Sequence, residues 1–392
     1  MPTLAEKIQC TGCAACYSKC AKSAITMTAD QTGFLYPVVN AEVCVECGAC
    51  TKACPVIEDV EIAINEPQAA YVLRHKDDKV RGESTSGGAF TAIAQTVLRR
   101  GGVVFGAAFN DNMKVVHCYV DNEDELYRFR NSKYVQSEIG NTFREARAFL
   151  KEGRWVCYSG TPCQTHGLLK YLAGIDQSKL ITVDLVCHCV PSPLIFEKYV
   201  DYQKKKLGNF NSLVFRDKGR GYSYSTMAIY KDGACAYRNG SESDLWFRAF
   251  LHGFCDRDSC SECRFQKWPR QTDLTIWDCF TVRKLAPKMD DNKGATSVIA
   301  WTNKGADIIE NNTNIEIIKV EPSVFRKKID REHFDDLMVI DKQQMYQDAH
   351  ILDCEAFFNK YLPNTTKIKV KRLLRLSLYY TGLYAMAKRL LG

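Results

Sequence analysis

No apolar leader opens this chain of 392 residues: it begins Met-Pro-Thr-Leu-Ala-Glu-Lys-Ile-Gln, with charges inside its first nine positions. Secretion is therefore not expected, and the 19 cysteines are read as reduced thiols of a cytoplasmic protein rather than as a disulfide scaffold. An excess of charge is missing from the body as well. The formal net charge of +7 is supplied by Lys367, Lys369, Lys371, Arg372, Arg375, Lys388 and Arg389, a tail with no acid in it; over the rest of the chain basic and acidic residues balance. A neutral body excludes the broad basic footprint of a nucleic-acid-binding protein. The tail also lacks the length to span a bilayer: its uncharged run, 376–387, falls short of the roughly 20 residues required.

What is present is clustered cysteine. Cys10, Cys13, Cys16 and Cys20 follow C-x2-C-x2-C-x3-C, and Cys44, Cys47, Cys50 and Cys54 repeat it, the second run ending in Pro55. This is the spacing of a bacterial two-cluster ferredoxin. Three cysteines on a tight loop reach three irons of one cubane, and the fourth, on a following helical turn, points away to the other. The expected ligand sets are crossed: Cys10, Cys13, Cys16 and Cys54 for one 4Fe-4S cluster, Cys44, Cys47, Cys50 and Cys20 for the second. Gly12 and Gly48 are expected to play one role in the two loops, letting backbone amides approach cluster sulfurs. Paired CxxC units can also hold zinc, but three cysteines spaced by two residues, twice over, fit clusters better. Cubanes move single electrons; they do no hydride chemistry alone.

The remainder reads as an α/β body. After an acidic linker, 57–68, a domain is expected over 69–322. Ser86-Gly87-Gly88 precedes apolar residues at helical spacing (Phe90, Ile93, Ala94, Val97, Leu98), a helix start able to hold a phosphate or to be an ordinary cap. Strands are expected at Val103–Phe109, Val115–Val120, Trp155–Tyr158 and Leu180–Val186, with helices at 138–151 and 164–172. Cys163 falls on a strand-to-helix turn and Cys187 at a strand end. With Cys260 and Cys263 they either complete a third four-thiolate site or pack as small hydrophobes. Cys118, Cys235 and Cys354 are read as packing residues.

Cys10 to Pro55, Ser86-Gly87-Gly88, Lys133-Tyr134-Val135-Gln136-Ser137, Gly160-Thr161-Pro162-Cys163-Gln164, Asp184-Leu185-Val186-Cys187-His188, Ser259-Cys260-Ser261-Glu262-Cys263 and Asp273-Leu274-Thr275-Ile276 occur in that order. The ordered set, over about residues 1–320, resembles the family of coenzyme F420 hydrogenase/dehydrogenase beta subunits, in its form with a fused N-terminal ferredoxin domain. The resemblance implies a small two-cluster ferredoxin domain (1–56) followed by a larger mixed α/β (α+β) flavoprotein body, with FAD and a third 4Fe-4S cluster on Cys163, Cys187, Cys260 and Cys263. Ser86, Gly87, Gly88, Lys133, Tyr134, Gln136, Ser137, Gly160 and Thr161 become candidates for holding the flavin, and Lys133 and His188 candidates for catalysis. The implied reaction passes electrons between clusters and FAD, with hydride exchange to coenzyme F420 or another carrier or reducible substrate. A redox partner, either ferredoxin-like or part of a complex, is also implied; the competing reading is a non-catalytic electron-delivery subunit. The chain departs from the family pattern at Cys187-His188-Cys189 and at Trp277-Asp278-Cys279-Phe280-Thr281, where the family often has Cys-His-Gly and Gly-Asp-Phe-Trp-Gly.

Past a C-terminal extension (323–366), the tail 367–392 carries Leu376, Tyr379, Tyr380, Leu383, Met386 and Leu390 at helical spacing. A basic amphipathic helix of this kind either lies on the inner face of a membrane or docks on protein.

Overall fold

In a computed structural model the chain is described over residues 2–57, 66–329, 340–384 and 386–387. Most of the expected linker and the residues Lys388, Arg389 and Leu390 lie outside the described residues. The described residues form two compact units. One runs to Val190 and resumes at Arg257; the other takes in Pro191–Asp256 and the residues from 340 on.

The first unit is built on one eight-stranded sheet. The cysteine-rich segment contributes a hairpin, β1 (Ile25–Ala29) and β2 (Leu35–Val39), and two short helices, α1 (Ala15–Lys19) and α2 (Ala49–Lys52). Then follow β3 (Ala69–His75), α3 (Asp78–Glu83), α4 (Ala89–Arg99), β4 (Val103–Phe109), β5 (Val115–Val120), α5 (Thr142–Lys151), β6 (Val156–Ser159), α6 (Pro162–Tyr171) and β7 (Leu180–Leu185). Across the sheet the order is Ile315–Val320, β3, Thr296–Ala300, Leu274–Asp278, β7, β6, β4, β5. The four strands from Leu274–Asp278 to β4 are mutually parallel, and the outer ones antiparallel. Parallel strands covered on both faces read as unbroken apolar runs rather than alternation. That is why β4 and β7 were legible, with bounds at or within a residue of those expected.

The ferredoxin segment is not a bead on a linker. Cys13, Ala14 and Ala15 pack in one apolar cluster with Phe105, Phe143, Tyr158 and Leu168 of the α/β body. Burying the large side chains of that cluster contributes about 1.5–3 kcal/mol apiece, so the loop of the first cysteine run is part of the body's core. Among the described residues, α1 touches α6 and α5 directly.

The second unit was not foreseen. It holds a three-stranded antiparallel meander, Ser212–Asp217, Thr226–Lys231 and Ala234–Gly240, with the helix Pro193–Leu207 and others around an aromatic core of Phe196, Tyr199, Phe215 and Trp246. Buried Asp244 caps the helix Leu245–Leu251 and accepts from the hydroxyls of Tyr199 (2.8 Å) and Tyr237 (2.9 Å); burial pushes its carboxyl up to about 6.

The tail departs from the single stripe read from its sequence. Its helix is Thr366–Tyr380 and stops where Gly382 takes φ +75°, a left-handed C-terminal turn that L side chains disfavour. Leu383 and Met386 therefore do not continue the face of Leu376 and Tyr379. Within this unit Arg375 pairs with buried Glu242, donates to the Tyr224 carbonyl (2.8 Å) and lies over the Tyr224 ring. No helix among the described residues is long and apolar enough to cross a membrane.

Candidate metal centre

The first cysteine run closes on itself because two of its residues take left-handed backbone. Gly12 has φ +68° and Ala14 has φ +62°. The second run does the same with Glu46 (φ +52°) and Gly48 (φ +70°). The two glycines are thus not equivalent: Gly12 stands before the second cysteine of its run and Gly48 after it, matched by Glu46 and Ala14. Gly12 has a further reason to lack a side chain. A Cβ there would lie 2.7 Å from Arg257 Nη1 and 2.8 Å from Gln136 Nε2.

The turn-rich loop surrounds a small cavity lined by Cys10, Cys13, Cys16 and Cys54, with Leu4, Met27, Pro37 and Val56 among its apolar walls. These are the four cysteines of the crossed set. Burial pushes the Cys16 thiol up to about 12, with Cys10 and Cys54 adding to it, and pushes Cys13 up as well. As free thiols they oppose one another's ionisation; as cluster ligands each is a thiolate whose charge is taken up by iron. Among the described residues no three His, Cys, Asp or Glu side chains converge where one ion could bind them all. Four thiols spread around one cavity suit a cluster in which each takes its own iron.

The second set is linked through the backbone. Cys20 ends α1, its sulfur accepting from Ala24 N–H (3.3 Å); the Ala24 carbonyl accepts from Asn40 N–H (2.8 Å), and the Asn40 carbonyl from Cys44 N–H (3.1 Å). Cys50 is close enough to raise Cys16, so the two sets adjoin.

The body contributes four more thiols. Thr161 caps α6 in a reciprocal box with Gln164, and Pro162 starts the helix, which sets Cys163 on its first turn. Cys187 lies just past β7, beside β6, so both come from carboxyl ends of adjacent parallel strands, where open α/β sheets bind ligands. The loop of Cys260 and Cys263 is fastened to both. Gln266 Nε2 donates to the Cys187 carbonyl (2.6 Å), and Phe265 packs edge-on to His166 of α6 (5.3 Å). Burial raises Cys187 well above the usual thiol range, followed by Cys260, Cys163 and Cys263; burial and then Cys263 push Cys163 up to about 11. Buried Arg270 opposes this at Cys187 and Cys263, and it ion-pairs with Asp184 (3.1 Å). Of the cysteines at the two departures from the family pattern, Cys189 has its carbonyl 3.9 Å from Cys187 Sγ, while Cys279 packs with Ala70, Ile299 and Trp301 in a separate apolar cluster.

The flavin candidates fall in two places. Ser86 Oγ donates to the Ala295 carbonyl, and Gly87 N–H to Thr296 Oγ1 (2.9 Å). A Cβ on Gly87 would meet the Leu73 carbonyl oxygen at 2.6 Å, so these two residues seat the turn against the sheet, leaving Gly88 (φ +85°) to begin α4. Thr85 is hydrogen-bonded to Ser132 (2.9 Å), which brings this turn beside Lys133. The Lys133 ammonium donates to the carbonyls of Arg128 (2.8 Å) and Arg130 (2.9 Å), and burial pulls it down to about 7. Tyr134 follows in the same half-buried segment. The others face the cysteine loops: Gln136 Nε2 donates to the Thr11 carbonyl (3.1 Å), Ser137 Oγ accepts from Gln164 (3.0 Å), and Thr161 Oγ1 lies 3.2 Å from Cys163 Sγ. Gly160 N–H is tied to the Val183 carbonyl (3.1 Å). His188, next to Cys187, is half-buried, its carbonyl near Gln266. Reading the sequence missed Arg257, Arg270 and Gly167, single residues outside any cysteine spacing.

Comparison with known proteins agrees with both segments. Residues 9–57 match a 4Fe-4S dicluster domain, and residues 153–324 match the family described as the C terminus of the coenzyme F420 hydrogenase/dehydrogenase beta subunit. Over 199 residues the chain is 26% identical to the F subunit of the F(420)H(2) dehydrogenase of Methanosarcina mazei, an alignment taking in 47% of this chain and 56% of that protein. The chain thus spans about half the length of the curated relative it matches. A solved structure of the xenon-derivatised F420-reducing [NiFe] hydrogenase complex from Methanosarcina barkeri covers 75% of this chain and 96% of its own, with TM-score 0.45 and 15% identity.

Proposed function

We propose that this chain, which joins a 4Fe-4S dicluster domain to the C-terminal domain of coenzyme F420 hydrogenase/dehydrogenase beta subunits, is an iron–sulfur flavoprotein component of an oxidoreductase. It passes electrons between its ferredoxin-type clusters and FAD, with hydride exchange to coenzyme F420 or another hydride carrier. The observation that carries this reading is the contact of the first cluster cavity with the helix bearing Cys163. A Cβ on Gly167 of α6 would meet Cys13 Sγ at 2.9 Å, and Arg264, beside Cys263, donates to the Val56 carbonyl at 3.0 Å. The three cysteine sets are thus contiguous, as a one-electron relay requires. Cys163, Cys187, Cys260 and Cys263 are the residues that would hold the third cluster, and Cys20, Cys44, Cys47 and Cys50 the second.

For flavin the fit rests on donors around the turn at Thr85 and Ser132. Lys133, enclosed and without a carboxylate partner among its hydrogen bonds, suits a phosphate or an anionic ring, and the N-terminus of a helix such as α4 favours an anion. A bound flavin would supply the exchange between two-electron hydride and one-electron cluster chemistry. The half-buried His188 would hold a proton beside the third cysteine set. The test is protein prepared without oxygen. It should release FAD, and the bound flavin should bleach with at least one of reduced deazaflavin, NADH, NADPH or reduced ferredoxin. Iron-replete protein without flavin overturns this function in favour of a subunit that only delivers electrons.

The tail supports a docked rather than free-standing protein. Val370, Leu373, Leu374 and Tyr380 are exposed on the helix that carries Lys367, Lys369, Lys371 and Arg372. Apolar side chains flanked by cations suit an anionic lipid surface. The full chain is expected to float with vesicles containing anionic lipid and a chain truncated before Lys367 to remain behind; equal flotation of the two ends the membrane reading and leaves docking on a partner protein.

A further inference from the structure

Arg257 lies three residues before Cys260 and is fully buried. Taking a guanidinium out of water costs several kcal/mol unless opposite charge is near, yet among the described residues no carboxylate pairs with it. Its hydrogen bonds go elsewhere: Nε to the Cys10 carbonyl (2.7 Å), Nη1 to Gln136 Oε1 (2.8 Å), Nη2 to the Leu35 carbonyl (3.1 Å). The same Nη2 stands 3.8 Å from Cys10 Sγ. The rings of Tyr36 (4.1 Å) and Phe34 (5.2 Å) shield it from solvent. Gln136 locks the arrangement by also donating to the Thr11 carbonyl, and glycine at position 12 makes room for it.

Four thiolates around an iron–sulfur cubane leave net negative charge, and reduction adds one electron more without making or breaking a bond. A fixed cation at a ligand sulfur, in a site of low dielectric, stabilises the reduced form more than the oxidised one. We infer that Arg257 is the counter-ion of the cluster held by Cys10, Cys13, Cys16 and Cys54 and raises its reduction potential. Arg257 leads into the loop of Cys260 and Cys263 and is held by Gln136 of the body, which places its charge on the side of the first cluster that faces the body. An electron on that cluster is thereby stabilised beside the body. This rests on the cluster assignment above, and Arg257 is a positioning residue that reaches the electron through a ligand.

The experiment is a dithionite redox titration of the anaerobic full-length protein, followed by electron paramagnetic resonance. In Arg257→Gln, at the potential where the wild-type first cluster is half reduced, the ratio of reduced to oxidised cluster is expected to fall at least about tenfold, 59 mV for one electron. The second cluster should change less than threefold, and Arg257→Lys, which keeps the charge, should stay within threefold of wild type. Should Arg257→Gln hold too little iron, Tyr36→Glu decides. It sets a carboxylate beside the guanidinium while leaving its hydrogen bonds to Cys10 and Leu35, and it should lower the same potential, with Tyr36→Phe unchanged. An iron-replete Arg257→Gln or Tyr36→Glu with the wild-type potential overturns the inference. Absence of any cluster signal in the wild-type protein would instead sink the functional reading beneath it.

Discussion

Replacing Cys54 with alanine is expected to remove the cluster of the first cysteine run, not that of the run in which Cys54 stands. The reason is the cavity: its four thiols are Cys10, Cys13, Cys16 and Cys54, and Cys54 reaches it from the end of α2, where its N–H bonds the Thr51 carbonyl at 3.0 Å. Loss of about four irons per chain is expected, with the same residual spectrum as Cys16→Ala. Cys20→Ala should give the complementary spectrum. A linear arrangement, each run holding its own cluster, would make Cys54→Ala resemble Cys50→Ala instead, and that outcome would falsify crossed ligation. The effect should spread into the body, because Cys13, Ala14 and Ala15 share a core with Phe105 and Tyr158. The thermal midpoint should drop along with the iron, since binding energy at such a site is folding energy.

The double substitution Cys260→Ser and Cys263→Ser should leave the ferredoxin pair intact and still cost about four of roughly 12 irons. Two of the four thiols around the quartet vanish, while the loop stays fastened through Gln266 to the Cys187 carbonyl and Phe265 to His166. The fold is therefore expected to survive with the iron gone, which separates ligation from packing. Cys118→Ser, on the edge strand β5 and away from the quartet, is the matching control and should hold its full iron. Unchanged iron in the double variant would return the four thiols to the role of small buried hydrophobes.

The strands and helices easiest to read were those whose environment is uniform along their length. Val103–Phe109 was legible because a strand buried in a sheet has to be apolar throughout, and α6 because a proline, a capping threonine and a glutamine mark its first turn. Residues 138–141, expected to begin a helix, instead let Glu138 bridge to Val116 at the sheet edge before α5 starts. The second unit was hidden because its segments, 191–256 and those after 340, are separated in sequence by the last three strands of the sheet. Its short meander also carries no motif. The tail stripe was read across Gly382, whose left-handed turn breaks the helix.

Spacing alone marked the two ferredoxin-type cysteine runs and proposed their ligand sets, since the reach of a cysteine on a tight loop or on the next helical turn is a local property of three or four residues. It determined the neutral body and the acid-free tail for the same reason: they are sums over composition. Convergence was decided by tertiary structure. Cys163 and Cys187 meet Cys260 and Cys263 only because β6 and β7 are neighbouring parallel strands and because Gln266 and Phe265 tether a loop from far along the chain. The same folding put a buried, carboxylate-free arginine against Cys10 and a glycine of α6 against Cys13. Neither contact leaves a trace in local sequence, because burial and electrostatic pairing depend on what the rest of the chain brings alongside.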